Sequence, residues 1–215
     1  GADLRQVVGP PLLDSFRNLL HVPEDKLDAA VESYKRHFAE EGMYRYQVYP
    51  HIRSILQMLR EGGVHVGLAT SKDRFIARRV MDTFGLSHYF DAIIGENDAH
   101  AKLGKPELIR RALPEKYRCA AMVGDRCFDV NGAKGAGIES VGVSYGCGSE
   151  EELQDAGADH IVPDTESLRA LLCPGAEVPR GFFLGMEGLD GSGKTTQTDR
   201  LEKKRHQPGF TVVGT

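Results

Sequence analysis

The chain has 215 residues, 40% of them hydrophobic and 27% charged, with a formal net charge of −4 and no tryptophan. That balance suits a water-soluble chain with ample core and gives no basic stripe of the kind that nucleic acid requires. No apolar run approaches the roughly 20 residues of a membrane span, so no membrane partner is expected.

The N-terminal stretch "GADLRQVVGPP" has neither an apolar core nor a cleavage pattern and does not read as a signal peptide. Residues 11–62 are helical by period. In "PEDKLDAAVESYKRHFAEEG" the positions Leu27, Ala30, Val31, Tyr34 and Phe38 recur at three- and four-residue steps, and Gly42 ends the run. "HIRSILQMLREGG" repeats the pattern with Ile52, Ile55, Leu56 and Leu59. The register then changes to short apolar runs at 64–70, 91–95, 118–124, 138–146 and 159–163, separated by helical stretches. Such alternation predicts an α/β fold: a Rossmann-like parallel sheet with helices on both faces, whose ligands sit at the carboxyl ends of the strands. A Pro- and Gly-rich stretch, "CPGAEVPRG", reads as a linker. Beyond it come a further apolar run, "FFLGMEG", a glycine-rich turn, a helix and a last run, "FTVVG". Lys203, Lys204 and Arg205 read as the solvated face of that helix. The four cysteines, Cys119, Cys127, Cys147 and Cys173, lack metal-ligand spacing and read as reduced thiols of a cytoplasmic protein, with Cys119 inside an apolar run.

Three separated elements suit one phosphate site. Thr70 and Ser71 follow a strand, where a hydroxyl and backbone N–H groups can hold a phosphoryl oxygen, although such residues also serve as plain helix caps. Lys105 stands just ahead of a helix and could neutralise developing charge. In "VGDRCFDVNGAKGAG", Asp125 and Asp129 lie one helical turn apart at a strand end, and hard oxygen ligands without neighbouring His favour Mg²⁺.

In this order the elements resemble the haloacid dehalogenase-like hydrolases, in particular their phosphoglycolate phosphatase and 5′-nucleotidase-like branch. The resemblance spans residues 1–172. It implies a partial helical cap at 1–49 and a core at 50–172. It further implies that Thr70 binds the transferring phosphoryl group, that Lys105 is the motif lysine, and that Asp125 and Asp129 surround Mg²⁺. His51 stands where the branch usually has glycine. The family's first motif, Asp-x-Asp-Gly-Thr, supplies the nucleophile and the general acid/base. No two aspartates of this chain are spaced i, i+2. The nearest imitation is Gly188–Ser192, with glycine at the nucleophile position.

After the linker at 173–180, "GLDGSGKT" fits a phosphate loop: glycines let backbone N–H groups converge on phosphate, a lysine reaches the β- and γ-phosphates, and a threonine ligates Mg²⁺. The longer "FFLGMEGLDGSGKTTQ" resembles the start of a thymidylate kinase over 181–215. That likeness implies a nucleotide site of Gly188, Asp190, Gly191, Ser192, Gly193, Lys194, Thr195 and Thr196, with ATP as cosubstrate and Asp190 on the monophosphate sugar. The expected parent is a bifunctional phosphatase–kinase acting on a small phosphorylated metabolite or nucleotide monophosphate, of which this chain is a piece that is inactive alone. A parent whose main activity is the kinase and a non-catalytic binding module are the alternatives. With the first-motif strand missing, 182–186 is expected to insert in parallel between the strands at 64–70 and 118–124, bringing Asp190 near Asp125 and Asp129.

Overall fold

A computed structural model describes residues 12–96, 103–172 and the backbone of 183–186. Six strands form one sheet: β1 (His65–Asp73), β2 (Ala92–Glu96), β3 (Ala121–Gly124), β4 (Glu139–Val143), β5 (His160–Val162) and β6 (Phe183–Met186). Their order is β2-β1-β6-β3-β4-β5, and every pairing is parallel. The expected architecture of the core is observed, and so is the expected insertion. Leu184 is level with Val66 on one side and with Ala121 on the other. The strand assigned by sequence to the C-terminal unit is therefore a central strand of the core sheet. Gly188, Asp190, Gly191, Ser192, Gly193, Lys194, Thr195 and Thr196, the linker and the cluster at 203–205 lie outside the described residues.

Strand alternation decides which helices each face receives, because successive side chains point to opposite sides. Val66 and Leu68 of β1 and Ala121 and Val123 of β3 face one layer. There they meet α3 (Ile52–Glu61), α4 (Arg74–Thr83) and α8 (Thr165–Leu172) through Ile55, Leu59, Val80, Met81 and Leu168. Ala69, Ala120 and Met122 face the other layer, where α5 (Lys105–Ala112) and α6 (Cys127–Ala136) supply Leu108, Ile109, Ala112 and Ala133. The helix α7 (Glu150–Asp155) follows β4.

The N-terminal segment comprises a short helix α1 (Leu12–Asp14), continued by a wider turn over Ser15–Leu19, and α2 (Leu27–Glu40). Phe16, Tyr34, Phe38 and Tyr46 form a chain of ring contacts with centroids 6.0, 5.9 and 5.6 Å apart. Phe38 and Met43 join the core beneath α3, which ties this segment to the sheet.

Two expectations are corrected. The first strand does not stop at Thr70: it runs to Asp73, with a register irregularity after Ala69. Thr70 and Ser71 are therefore not the cap of α4. Asp73 is, accepting from the N–H groups of Phe75 (2.8 Å) and Ile76 (3.3 Å). Gly95 of β2 permits the bulge, since a Cβ there would stand 2.5 Å from the Lys72 carbonyl oxygen. Cys119, expected inside an apolar run, is exposed because β3 begins only at Ala121.

Candidate active site

The carboxyl ends of β1 and β3 flank β6, and the candidate residues gather along that edge. Thr70 is buried on β1, and its Oγ1 accepts from the Lys72 N–H at 3.2 Å. This short loop of side chain to main chain holds the hydroxyl where the register of β1 breaks after Ala69. Asp125 follows β3 directly and Asp129 lies in the first turn of α6; both are buried.

The packing around these carboxylates depends on missing Cβ atoms. A Cβ on Gly124 would stand 2.3 Å from Asp129, and one on Gly146 would stand 2.3 Å from Asp125. On Gly148 it would meet the Asp125 carbonyl oxygen at 2.0 Å. The loop after β4 thus wraps Asp125 closely, and the Cys147 N–H donates to Asp125 Oδ2 at 2.6 Å. Across from it, Asp129 Oδ2 accepts from the Arg126 N–H at 3.2 Å.

Lys105 starts α5, and its Nζ is 2.7 Å from Asp129 Oδ1, with both side chains under one-tenth exposed. Gly132 makes room for the lysine stem, since a Cβ there would lie 2.4 Å from Lys105 Cγ. Sequence separation gave no hint of this contact, and the structure brings the two together. Among the described residues, the buried ammonium of Lys105 thus lies with two buried carboxylates, Asp125 and Asp129. Isolated charge is costly in such surroundings, and a cation relieves it. Among the described residues no group of three or more His, Cys, Asp and Glu converges. A hard cation here would be held by Asp125 and Asp129 alone among them and would need further oxygen donors beyond the carboxylate pair.

Two other groups complete the edge. Arg126 Nε donates to Glu152 Oε1 at 2.8 Å, and the Cys127 N–H reaches the same oxygen at 2.9 Å. Burial, aided by the Glu152 carboxylate, pushes the Cys127 thiol up to about 11, so it is protonated and no nucleophile at neutral pH. Tyr145 packs edge-on against Tyr49 with ring centroids 5.1 Å apart. Burial raises its phenol well above the ordinary value, helped by Tyr49, Asp125 and Asp164.

Sequence reasoning missed Gly132, Gly146, Gly148, Arg126, Cys147 and Glu152. The only signal available was the density of glycine in "GAKGAG" and "YGCGSEE".

Comparison with known proteins gives a consistent family. The model described as haloacid dehalogenase-like hydrolase matches residues 2–143. A 5′-nucleotidase of Pseudomonas aeruginosa is 34% identical over 174 residues, covering 80% of this chain and 79% of that protein. The crystal structure of a predicted phosphatase from Clostridium acetobutylicum superposes with a TM-score of 0.73 at 36% identity, covering 80% of this chain and 81% of that one. The Mycobacterium tuberculosis Protein Tyrosine Kinase A (PtkA) structure gives a TM-score of 0.67 at 27% identity, covering 80% and 81%.

Proposed function

The chain belongs to the haloacid dehalogenase-like hydrolase family, and we propose that its site is that of a Mg²⁺-dependent phosphate-monoester hydrolase. The observation that carries this reading is the buried Lys105–Asp129 ion pair beside buried Asp125 at the carboxyl end of β3. In this reading Asp125 and Asp129 hold Mg²⁺, which would supply positive charge to the phosphoryl oxygens. The Thr70 hydroxyl orients one phosphoryl oxygen, and Lys105 balances charge as it develops. A small phosphorylated metabolite is the substrate class, and the 5′-nucleotidase relative makes a nucleotide monophosphate the first choice.

The sequence holds no Asp-x-Asp pair, so the proposal extends to an inactive chain: it binds the cation and phosphate but lacks the attacking carboxylate. The phosphate-loop sequence at 188–195 supports a second part of the proposal, a parent that joins this phosphatase to an ATP-dependent thymidylate kinase. Among the described residues, the free thiols of Cys119 and Cys127 suit a cytoplasmic setting.

The test is calorimetric titration with Mg²⁺, followed by phosphate-release assays on a monophosphate panel in Mg²⁺ and in EDTA. Saturable Mg²⁺ binding lost in Asp125→Asn, without phosphate release, is expected. Absence of binding overturns the metal site. Mg²⁺-dependent release abolished by Asp125→Asn overturns the inactivity.

A further inference from the structure

Ser149 and Glu152 make the sequence pattern of a capping box, in which the serine caps its helix and the glutamate three residues on reaches back to the serine's own N–H. Half of that box forms. Ser149 Oγ accepts from the Glu152 N–H at 3.0 Å. The glutamate side chain goes elsewhere. Its Oε1 crosses to α6 and accepts from the Cys127 N–H, one of the helix-start donors without an intrahelical partner, and from Arg126 Nε. Burial works to raise the Glu152 pKa, but the hydrogen bonds from Cys127 and Arg126 outweigh it and hold the group below its ordinary value. The Arg126–Glu152 ion pair is mostly buried.

The two donors, Arg126 and Cys127, belong to the three-residue link between Asp125 and Asp129. We infer that Glu152 is a positioning residue: reaching from α7 to the start of α6, it fixes that link and so sets the separation and aim of the two carboxylates. The neighbouring loop acts in the same sense. Cys147 N–H holds Asp125 Oδ2, and Gly146 and Gly148 press on Asp125 with no room for a side chain. Residues 146–152 thus form one clamp, touching Asp125 at one end and capping α6 at the other. Its role rests on the reading of Asp125 and Asp129 as the cation site.

The geometry separates reach from charge. Glu152→Gln keeps an oxygen at the Cys127 N–H, whereas Glu152→Asp keeps the charge and the helix-start acid but shortens the side chain by one methylene. Glu152→Ala removes both. Loss of such outer support generally costs about ten- to a hundredfold in metal affinity. Mn²⁺ serves as the probe, with free ion counted by electron paramagnetic resonance on the full chain, and circular dichroism confirms that each variant is folded. The expected result is Mn²⁺ binding weakened about tenfold or more in Glu152→Ala and Glu152→Asp, with Glu152→Gln near the wild type. If Glu152→Ala does not fold, the Asp and Gln pair alone decides. Wild-type affinity in Glu152→Asp overturns the positioning role and leaves the cation site standing. Wild-type chain that binds no Mn²⁺, or binds it equally after Asp125→Asn, overturns the cation site and this role with it.

Discussion

Substituting Lys105 by methionine removes an ammonium while keeping most of the stem that packs beside Gly132. The partner left behind, Asp129, is buried, and of the two contacts described for it only the Arg126 N–H at 3.2 Å remains. Breaking a buried pair by deleting one member costs about 3–5 kcal/mol, because the surviving charge stays desolvated. For a chain of this size each kcal/mol lowers Tm by about 2–4 °C, so a fall of about 6–20 °C is expected. The substitution also takes one positive charge out of the site. Saturating Mg²⁺ should therefore restore more stability to Lys105→Met than it adds to the wild type. The double variant Lys105→Met/Asp129→Asn removes the stranded charge and should recover most of the loss in EDTA. Thermal and urea unfolding followed by circular dichroism measure all of this, since the chain has no tryptophan to report. A single variant within about 1 kcal/mol of wild type, or a double variant as unstable as the single, would refute the reasoning.

Four further outcomes are expected. His51 precedes α3 with a left-handed φ of 62°, where a side chain costs about 1–2 kcal/mol and glycine about 0.5–1 in lost freedom, so His51→Gly should stabilise the chain by up to about 1.5 kcal/mol and raise the urea midpoint; a lowered midpoint counts against it. Gly132→Ala should gain about 1 kcal/mol of helix propensity, yet its Cβ would meet Lys105 Cγ at 2.4 Å, an overpacking cost of about 1–3 kcal/mol. A net gain in melting temperature would show that the lysine stem moves freely. Asp159 accepts from the Ser140 hydroxyl and N–H, which hold its pKa below the ordinary 3.8. Its contribution to stability is therefore whole above that value and lost as pH falls through the lower folded one, so Asp159→Asn should flatten the acid limb of a stability–pH curve; an unchanged limb refutes the assignment. Leu184→Pro would remove a ladder N–H in the centre of the sheet, leaving an acceptor unpaired at about 1–3 kcal/mol before any ring clash, and an unchanged Tm would argue against the β6 pairing.

The layers of the sheet were legible because they rest on local pattern. Val66 and Leu68 alternate with Gly67 and Ala69, and helix periods flank each strand, so the parallel sheet is readable from sequence alone. The resemblance placed Lys105 and Asp129 in one site, but their pairing was not legible, since nothing in "GKPEL" reports a carboxylate 24 positions later. Glu152 was not legible at all. Its spacing from Ser149 is that of an ordinary capping box, and that pattern is the same whether the carboxylate serves its own helix or the next. The glycines that shape the site were visible as composition but not as function, because the atom each one omits has meaning only against the side chain that fills the gap. His51 shows the reverse case: a departure from the family's glycine became intelligible once its backbone angle was known.

The occupancy of the central slot carries a broader point about what a sheet recognises. The edges of β1 and β3 that face it offer main-chain donors and acceptors, which accept any strand of suitable length, whatever motif that strand belongs to. Phe183–Met186 meets β1 over three residues and β3 over three, in a common parallel register. Its sequence resembles the opening of a phosphate-loop enzyme, yet main-chain pairing depends on residue type only where a proline removes the N–H. A complete sheet thus leaves open which chemistry its carboxyl edge carries. The fold positions Thr70, Lys105, Asp125 and Asp129 through β1, α5, β3 and α6, and none of those placements dictates which side chains the central strand delivers at its carboxyl end. Fold and reaction separate at that strand: the pairing is met by backbone, and the attack on phosphorus needs a particular carboxylate.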